Sequence, residues 1–118
     1  MAHRILLVED DAELRDMMAQ LLESEGFDAE VASDGGEALR VLSEPNHRPE
    51  VILLDMMMPR MDGWEFRRRQ TNDPSIATIP VVVVTAVPRN QLSNVGAVAV
   101  LQKPVDYDEL VATVLAQC

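Results

Sequence analysis

The chain has 118 residues, and its 20 acidic against 10 basic side chains give a formal net charge of −10. This length predicts a single domain over residues 1–118, with one hydrophobic core. The acidity argues against partners that need a basic surface, namely nucleic acid and anionic membranes. A lone cysteine, Cys118, excludes an internal disulfide, and no apolar run is long enough to span a bilayer, so we expect a cytoplasmic protein.

The apolar segments of the chain are of two kinds that alternate. Short, nearly unbroken runs predict strands buried on both faces, at residues 5–8, 51–54, 81–84 and 98–101. A weaker segment, residues 27–32, alternates apolar and acidic residues and predicts an edge strand. Between these segments, helical spacing of apolar residues predicts helices within residues 14–22, 37–42, 64–70 and 107–115. Three arginines at residues 67–69 are interpreted as a solvated helix face.

This alternation predicts an α/β fold with a parallel sheet covered by helices on both faces. We expect the flavodoxin-like (βα)5 sandwich, whose strand order is 2-1-3-4-5; that order belongs to the fold class and does not follow from the residues. The fourth helical segment, residues 89–95, lies between Pro88 and Gly96 and contains poor helix formers. We therefore predict that the fourth helix is short or irregular.

Polar residues follow four of the predicted strands, where ligands bind in sheets of this kind. Glu9 and Asp10 follow the first strand, Asp55 the third, Thr85 the fourth and Lys103 the fifth. Three carboxylates close together need a compensating cation, and Mg²⁺ prefers oxygen ligands. Lys103, which is the only lysine, and the Thr85 hydroxyl suit phosphoryl oxygens. Asp55 is then the candidate nucleophile.

Each of these residues also has an ordinary explanation. Asp10 could be the N-cap of the first helix, with Glu13 three residues later in the manner of a capping box. Thr85 could simply end a strand, and Lys103 could be a surface lysine. A shared site is favoured because all of these residues fall at matching ends of the predicted strands.

Four segments resemble the receiver domains of two-component response regulators, in order and over essentially the whole chain. They are residues 7–11, 54–63, 84–86 and 102–104. The resemblance implies that Asp55 is the phosphoacceptor and that Asp10 binds Mg²⁺ directly, with Glu9 beside it or acting through water. It also implies that the backbone carbonyl of Met57 is a metal ligand, and that Thr85 and Lys103 hold the phosphoryl oxygens.

The resemblance also implies partners. The phosphoryl donor would be a phosphohistidine on a sensor histidine kinase or a histidine phosphotransfer protein, or else a small acyl phosphate. Neither His3 nor His47 is expected to be the donor, because both fall at the opposite end from the site. The chain would not be an enzyme beyond its own phosphorylation and slow dephosphorylation. Since the last predicted helix runs to Cys118, we expect a stand-alone receiver without an output domain that acts on a downstream protein target.

The chain departs from the resembling family at three positions. Val100 stands where an aromatic residue normally rotates together with the threonine, so transmission of the signal is in question unless the valine simply packs in its strand. Met57 and Val87 are apolar where polar side chains assist hydrolysis, which predicts a comparatively long-lived aspartyl-phosphate. The alternative function is a protein-interaction module that works without phosphorylation, as in pseudo-receivers.

Overall fold

The computed structural model describes residues 2–46 and 48–118, and at its centre lies a five-stranded parallel sheet. The strands are β1 (Arg4–Val8), β2 (Asp28–Ala32), β3 (Val51–Leu54), β4 (Val81–Thr85) and β5 (Ala99–Gln102). They are hydrogen-bonded in the order β2-β1-β3-β4-β5. The flavodoxin-like fold and the strand order expected from the sequence are therefore confirmed.

The burial of the strands follows their place in the sheet. Every residue of the central strands β3 and β4 is buried, whereas only Ala32 is buried in the edge strand β2. Because alternate side chains of a strand point to opposite faces, Ile52 and Leu53 belong to different clusters of the core. The core thus has two layers, one on each face of the sheet, as the unbroken apolar runs predicted.

Four α-helices pack on these faces, and the N-cap of each is an aspartate. They are α1 (Ala12–Ser24), α2 (Gly35–Ser43), α3 (Gly63–Thr71) and α4 (Tyr107–Gln117). The α1 cap is Asp11, whose carboxylate accepts hydrogen bonds from the N–H groups of Glu13 and Leu14. The alternative in which Asp10 caps this helix is therefore wrong. Within residues 2–46 and 48–118, no helix has the length and apolar character needed to cross a membrane.

The connection between β4 and β5 confirms the prediction for the fourth helical segment. Over this fully described connection, the helical structure is one 3₁₀ turn, Arg89–Gln91. Leu92 and Val95 are buried and attach the connection to the core. Arg67 of α3 donates hydrogen bonds to the backbone carbonyls of Val95 and Gly96. The interpretation of residues 67–69 as a solvated face is wrong for Arg67, which is only partly exposed.

Candidate functional site

The carboxyl edge of the sheet gathers the charged residues that were predicted to form a site. One carboxylate oxygen from each of Glu9, Asp10 and Asp55 lies within 4.8 Å of the other two. The Nζ atom of Lys103 lies 3.0 Å from Oε2 of Glu9 and 3.3 Å from Oδ2 of Asp55. We call these four residues the acidic pocket.

Backbone hydrogen bonds just beyond the strands position the acidic pocket. The N–H of Asp55 donates to the carbonyl of Val8 at 3.1 Å, and the N–H of Lys103 donates to the carbonyl of Thr85 at 2.8 Å. These bonds continue the parallel pairing of β1 with β3 and of β4 with β5 by one residue. The site residues therefore come together because the strands that precede them are in register.

Burial makes the electrostatics of the pocket unusual. Only 2% of Glu9 and 6% of Asp55 is exposed. Desolvation, and next the charge of Asp55, raise the pKa of Glu9 to about 7, against the opposing effect of Lys103. Burial alone would lower the pKa of Lys103, but its hydrogen bond to Glu9 and the two carboxylate charges raise it. A single ammonium therefore leaves part of the negative charge in the pocket uncompensated.

The donor set of the pocket fits a hard divalent cation. Three carboxylates offer oxygen ligands, which Mg²⁺ prefers. Asp10 is exposed, and in the described part of the chain no hydrogen bond or ion pair engages its carboxylate, so that it is free to bind. A cation at this position would also offset the repulsion between Glu9 and Asp55 that favours protonation of Glu9.

Thr85 and Met57 lie beside the pocket, since each forms a hydrogen bond with one of its residues. Thr85 is fully buried at the end of β4, and its Oγ1 accepts a hydrogen bond from the N–H of Val87 at 3.2 Å. The N–H of Met57 donates to Oδ1 of Asp55 at 3.3 Å. The side chain of Met57 is exposed, whereas that of Val87 is buried. The metal-binding role of the Met57 carbonyl stays a prediction.

Two predictions concern residues that do not contact the pocket. Val100 pairs with Val83 in the register of β4 and β5, and its partly buried side chain packs against one core cluster. This packing agrees with the simpler alternative for the valine. His3 precedes β1 and so lies at the opposite edge of the sheet from the pocket, whereas His47 lies outside the described residues.

Two further side chains support this edge of the sheet, and their contacts were not predicted from the sequence. A guanidinium nitrogen of Arg15 donates to the carbonyl of Glu9 at 3.1 Å, and Nε2 of Gln102 donates to the carbonyl of Val87 at 2.8 Å. Arg15 lies four residues after the N-cap Asp11, so helical spacing places the two residues on the same face of the helix, close to the end of β1. No comparable signal links Gln102 to a carbonyl fifteen residues earlier.

A flavodoxin-like sheet with three carboxylates and one lysine at its carboxyl edge defines a class of α/β domain that gathers charged groups of both signs at one end of its sheet. The model of the response regulator receiver domain family matches residues 5–115 of the chain. The chain belongs to this family.

The curated relatives that the chain matches are longer proteins. The response regulator MprA of Mycobacterium sp. (strain KMS) is 39% identical over 121 residues, which cover 96% of this chain and 49% of the relative. The transcriptional regulatory protein CpxR homolog of Haemophilus influenzae is 38% identical over 117 residues, with 96% and 49% covered. The chain thus spans about half the length of the curated relatives it matches.

Solved structures agree with the family over the whole chain. The chemotaxis response regulator CheY4 of Vibrio cholerae has a TM-score of 0.89 at 28% identity, with 100% of both chains covered. A putative response regulator from Chloroflexus aurantiacus has a TM-score of 0.90 at 27% identity, covering 99% of this chain and 98% of the other. The chain is therefore a receiver domain of a two-component system, a family in which phosphorylation and Mg²⁺ binding are typical.

Proposed function

We propose that Asp55 accepts a phosphoryl group from a phosphohistidine of a histidine kinase or a histidine phosphotransfer protein. In this proposal Glu9, Asp10, Asp55 and the Met57 carbonyl hold Mg²⁺, and phosphorylation changes the surface that a downstream protein recognises. The main support is the position of the Lys103 ammonium, 3.3 Å from Oδ2 of Asp55 within a group of three carboxylates. The domain is a signalling module and does not turn over a separate substrate.

The residues of the pocket suit the chemistry of this transfer. A carboxylate oxygen of Asp55 attacks phosphorus, the P–N bond to the donor breaks, and its electron pair stays on the imidazole nitrogen. Lys103 places a compact positive charge where the phosphoryl oxygens arrive. The Thr85 hydroxyl already accepts a hydrogen bond from Val87, so its own proton is available for a phosphoryl oxygen. Bound Mg²⁺ would neutralise charge on the group being transferred.

A groove next to the pocket supports a protein as the donor. It lies between α1 and α4, has a volume of about 330 Å³, and includes Lys103, Leu14, Met17 and Tyr107 in its lining. Met17 is 47% and Tyr107 36% exposed, and apolar surface beside a polar site is typical of protein interfaces. The net charge of −10 likewise favours a protein partner over nucleic acid or an anionic membrane, which both attract basic surfaces.

Intact mass after incubation with acetyl phosphate and Mg²⁺ tests the proposal. We expect the wild-type chain to gain one phosphoryl group and Asp55→Asn to gain none. Asp16→Asn, which removes an exposed carboxylate of α1, is the matched control and should behave as the wild type. A phosphoryl gain in Asp55→Asn, or no gain in the wild type with either acetyl phosphate or a phosphorylated donor protein, contradicts the proposal.

A second candidate function is protein binding that does not depend on phosphorylation. Two observations favour it: Val100 packs in the sheet where the family has an aromatic residue, and the β4–β5 connection has one 3₁₀ turn in place of an α-helix. Under this alternative, the pocket would take up no phosphoryl group. The mass measurement therefore separates the two functions.

We also infer that the aspartyl-phosphate is comparatively long-lived. Met57 and Val87 place apolar side chains at two positions near Asp55 and Thr85, where a polar side chain would guide a hydrolytic water. Introducing Met57→Asn together with Val87→Glu should shorten the half-life of the phosphorylated domain several-fold, as measured by the decay of the mass peak. Met57→Leu is the apolar control. An unchanged half-life in the double variant contradicts the inference.

A further inference from the structure

Three side chains with different metal-ligating groups meet at the edge of the sheet opposite the acidic pocket. His3 precedes β1, Glu50 precedes β3 and Cys118 follows α4. One ligand atom from each lies within 4.8 Å of the other two. We call these residues the amino-edge triad. Consecutive members of the triad are 47 and 68 positions apart along the chain, so the fold and not the local sequence brings them together.

Contacts with neighbouring groups orient each member of the triad. The N–H of Arg4 donates to Oε2 of Glu50 at 3.0 Å, and the N–H of Glu50 donates to the carbonyl of Arg4 at 2.8 Å. Nδ1 of His3 lies 3.0 Å from both carboxylate oxygens of Glu50. The His3 ring also lies tilted against buried Phe27, with 6.2 Å between ring centroids.

The cysteine is also positioned by the backbone of its helix. The N–H of Cys118 donates to the carbonyl of Leu115 at 3.2 Å, and its thiol donates to the carbonyl of Val114 at 3.4 Å. Since the buried side chain of Val114 belongs to the core, the last turn of α4 is fixed against the sheet. The thiol therefore stays near the histidine and the carboxylate.

We propose that the amino-edge triad is a binding site for a borderline-soft divalent transition-metal ion, with Zn²⁺ as the leading candidate. One imidazole nitrogen, one carboxylate oxygen and one sulfur form the mixed ligand set that Zn²⁺ accepts, whereas Mg²⁺ and Ca²⁺ prefer oxygen ligands alone. Three protein ligands leave a fourth position for water or for a group from a partner molecule.

The spacing of the triad suits such an ion after small side-chain adjustments. With zinc–ligand bonds of about 2.0 to 2.3 Å, tetrahedral ligand atoms lie about 3.5 Å apart. The His3–Glu50 contact of 3.0 Å would lengthen slightly, and Cys118, within 4.8 Å of both, would move closer. Binding removes the proton from the Cys118 thiol and releases it to solvent, so that the thiolate is the ligand.

The position of the triad gives the ion a structural consequence. It would join the segments before β1 and β3 to the end of α4, and so link residues 3 and 118 across the whole described chain. His3 and Glu50 side chains are 45% and 43% exposed, so an ion can enter from solvent. Because the ion binds the folded chain, it should raise the midpoint of thermal unfolding.

Titration of the untagged, reduced chain with Co²⁺ and with Zn²⁺ tests this proposal, in a buffer with excess Mg²⁺ to fill the acidic pocket. We expect one Co²⁺ per chain, with a near-ultraviolet absorption band from cobalt–thiolate charge transfer, and displacement of Co²⁺ by Zn²⁺. Cys118→Ser should abolish the band, and His3→Gln and Glu50→Gln should each weaken binding more than about tenfold. Zn²⁺ should raise the unfolding midpoint of the wild type but not of Cys118→Ser.

Two controls separate the triad from other metal-binding groups. Asp55→Asn removes a carboxylate of the acidic pocket and should leave the cobalt band unchanged. Glu23→Gln removes an exposed carboxylate of α1 and should also bind as the wild type does. Absence of the charge-transfer band, or equal affinity in the wild type and the three triad variants, overturns the proposal. Neither result bears on phosphorylation of Asp55, which has its own test.

Discussion

The acidic pocket and the β4–β5 connection are held in different ways. The pocket depends on the backbone: Asp55 and Lys103 follow strands whose pairing continues by one hydrogen bond past each strand end. The connection depends on side chains from another element, chiefly Arg67 of α3. Strand register therefore places the chemical groups, whereas individual long-range hydrogen bonds shape a crossover whose helical structure is a single 3₁₀ turn.

The side-chain network of α3 holds loops on both sides of β4. Gln70 is fully buried, and its Nε2 donates to two carbonyls of the loop before β4, at 2.9 and 3.1 Å. Its Oε1 accepts a hydrogen bond of 2.7 Å from Arg67, which in turn holds two carbonyls of the loop after β4. These four carbonyls belong to Ile76, Ile79, Val95 and Gly96.

The largest effect should come from the charge held inside the pocket. The native pKa of Glu9 is about 7 against an ordinary value of 4.5, so the native chain binds this proton more tightly than the unfolded chain does. The resulting stabilisation is complete below pH 4.5 and is lost as the pH rises through 7. Without Mg²⁺, the free energy of unfolding of the wild type should fall by roughly 3 kcal/mol relative to Glu9→Gln over this range.

Urea denaturation of both chains at several pH values, in the presence of a chelator, measures this difference. Glutamine has nearly the shape of a protonated glutamate, so the two chains should be about equally stable at low pH. Saturating Mg²⁺ should reduce the pH dependence of the difference in unfolding free energy, because a cation offsets the repulsion between Glu9 and Asp55. If the difference in unfolding free energy between the two chains did not depend on pH, the pKa of Glu9 would not be raised in the folded chain. Burial beside Asp55 would then not destabilise the charged form of Glu9.

A close approach of backbones next to the pocket should give the next largest effect. A Cβ atom at Gly63 would lie 2.5 Å from Sδ and 2.7 Å from Cα of Met56, the residue after Asp55. Since the N–H of Gly63 also donates to the carbonyl of Met56 at 2.8 Å, the two segments cannot separate without losing that bond. Gly63→Ala should therefore destabilise the fold by about 2 to 3 kcal/mol in urea denaturation.

Gly36 provides the matched control for this substitution. A Cβ atom there would meet only Oδ1 of Asp34, at 3.4 Å, and Gly36 lies in the first turn of α2. Gly36→Ala should leave stability unchanged or raise it slightly. Equal losses in the two variants would mean that the contact with Met56 does not fix the segment that carries Asp55.

The sequence predicted the residues of the acidic pocket more completely than the contacts of the β4–β5 connection, for a physical reason. Apolar runs with β-branched residues mark the central strands, and the residue after each run falls at the sheet edge, so Asp55 and Lys103 could be placed together in advance. The absence of a regular fourth helix was also visible in Pro88 and Gly96. The hydrogen bonds that hold the connection could not be predicted from the sequence. Helical periodicity does not indicate which of three consecutive arginines reaches a carbonyl nearly thirty residues away.

The smallest of the three effects tests the connection itself. Arg67→Ala removes donors to the carbonyls of Val95 and Gly96 and to Oε1 of Gln70. We expect a loss of about 1 to 2 kcal/mol, since a guanidinium hydrogen bond contributes more than a neutral one but part of this site faces water. Amides of residues 92–98 should also exchange hydrogen faster, while the uptake of a phosphoryl group at Asp55 should persist.

Arg68 is the control, because it neighbours Arg67 and pairs only with Glu65 in the described part of the chain. That pair lies at the surface, where such interactions contribute little to stability, so Arg68→Ala should cost less than Arg67→Ala and leave hydrogen exchange in residues 92–98 unaltered. If both variants lost the same stability and neither changed the exchange, the connection would be held by Leu92 and Val95 in the core alone. If Arg67→Ala also abolished phosphorylation, the connection would be part of what shapes the pocket, and the two regions would not be independent.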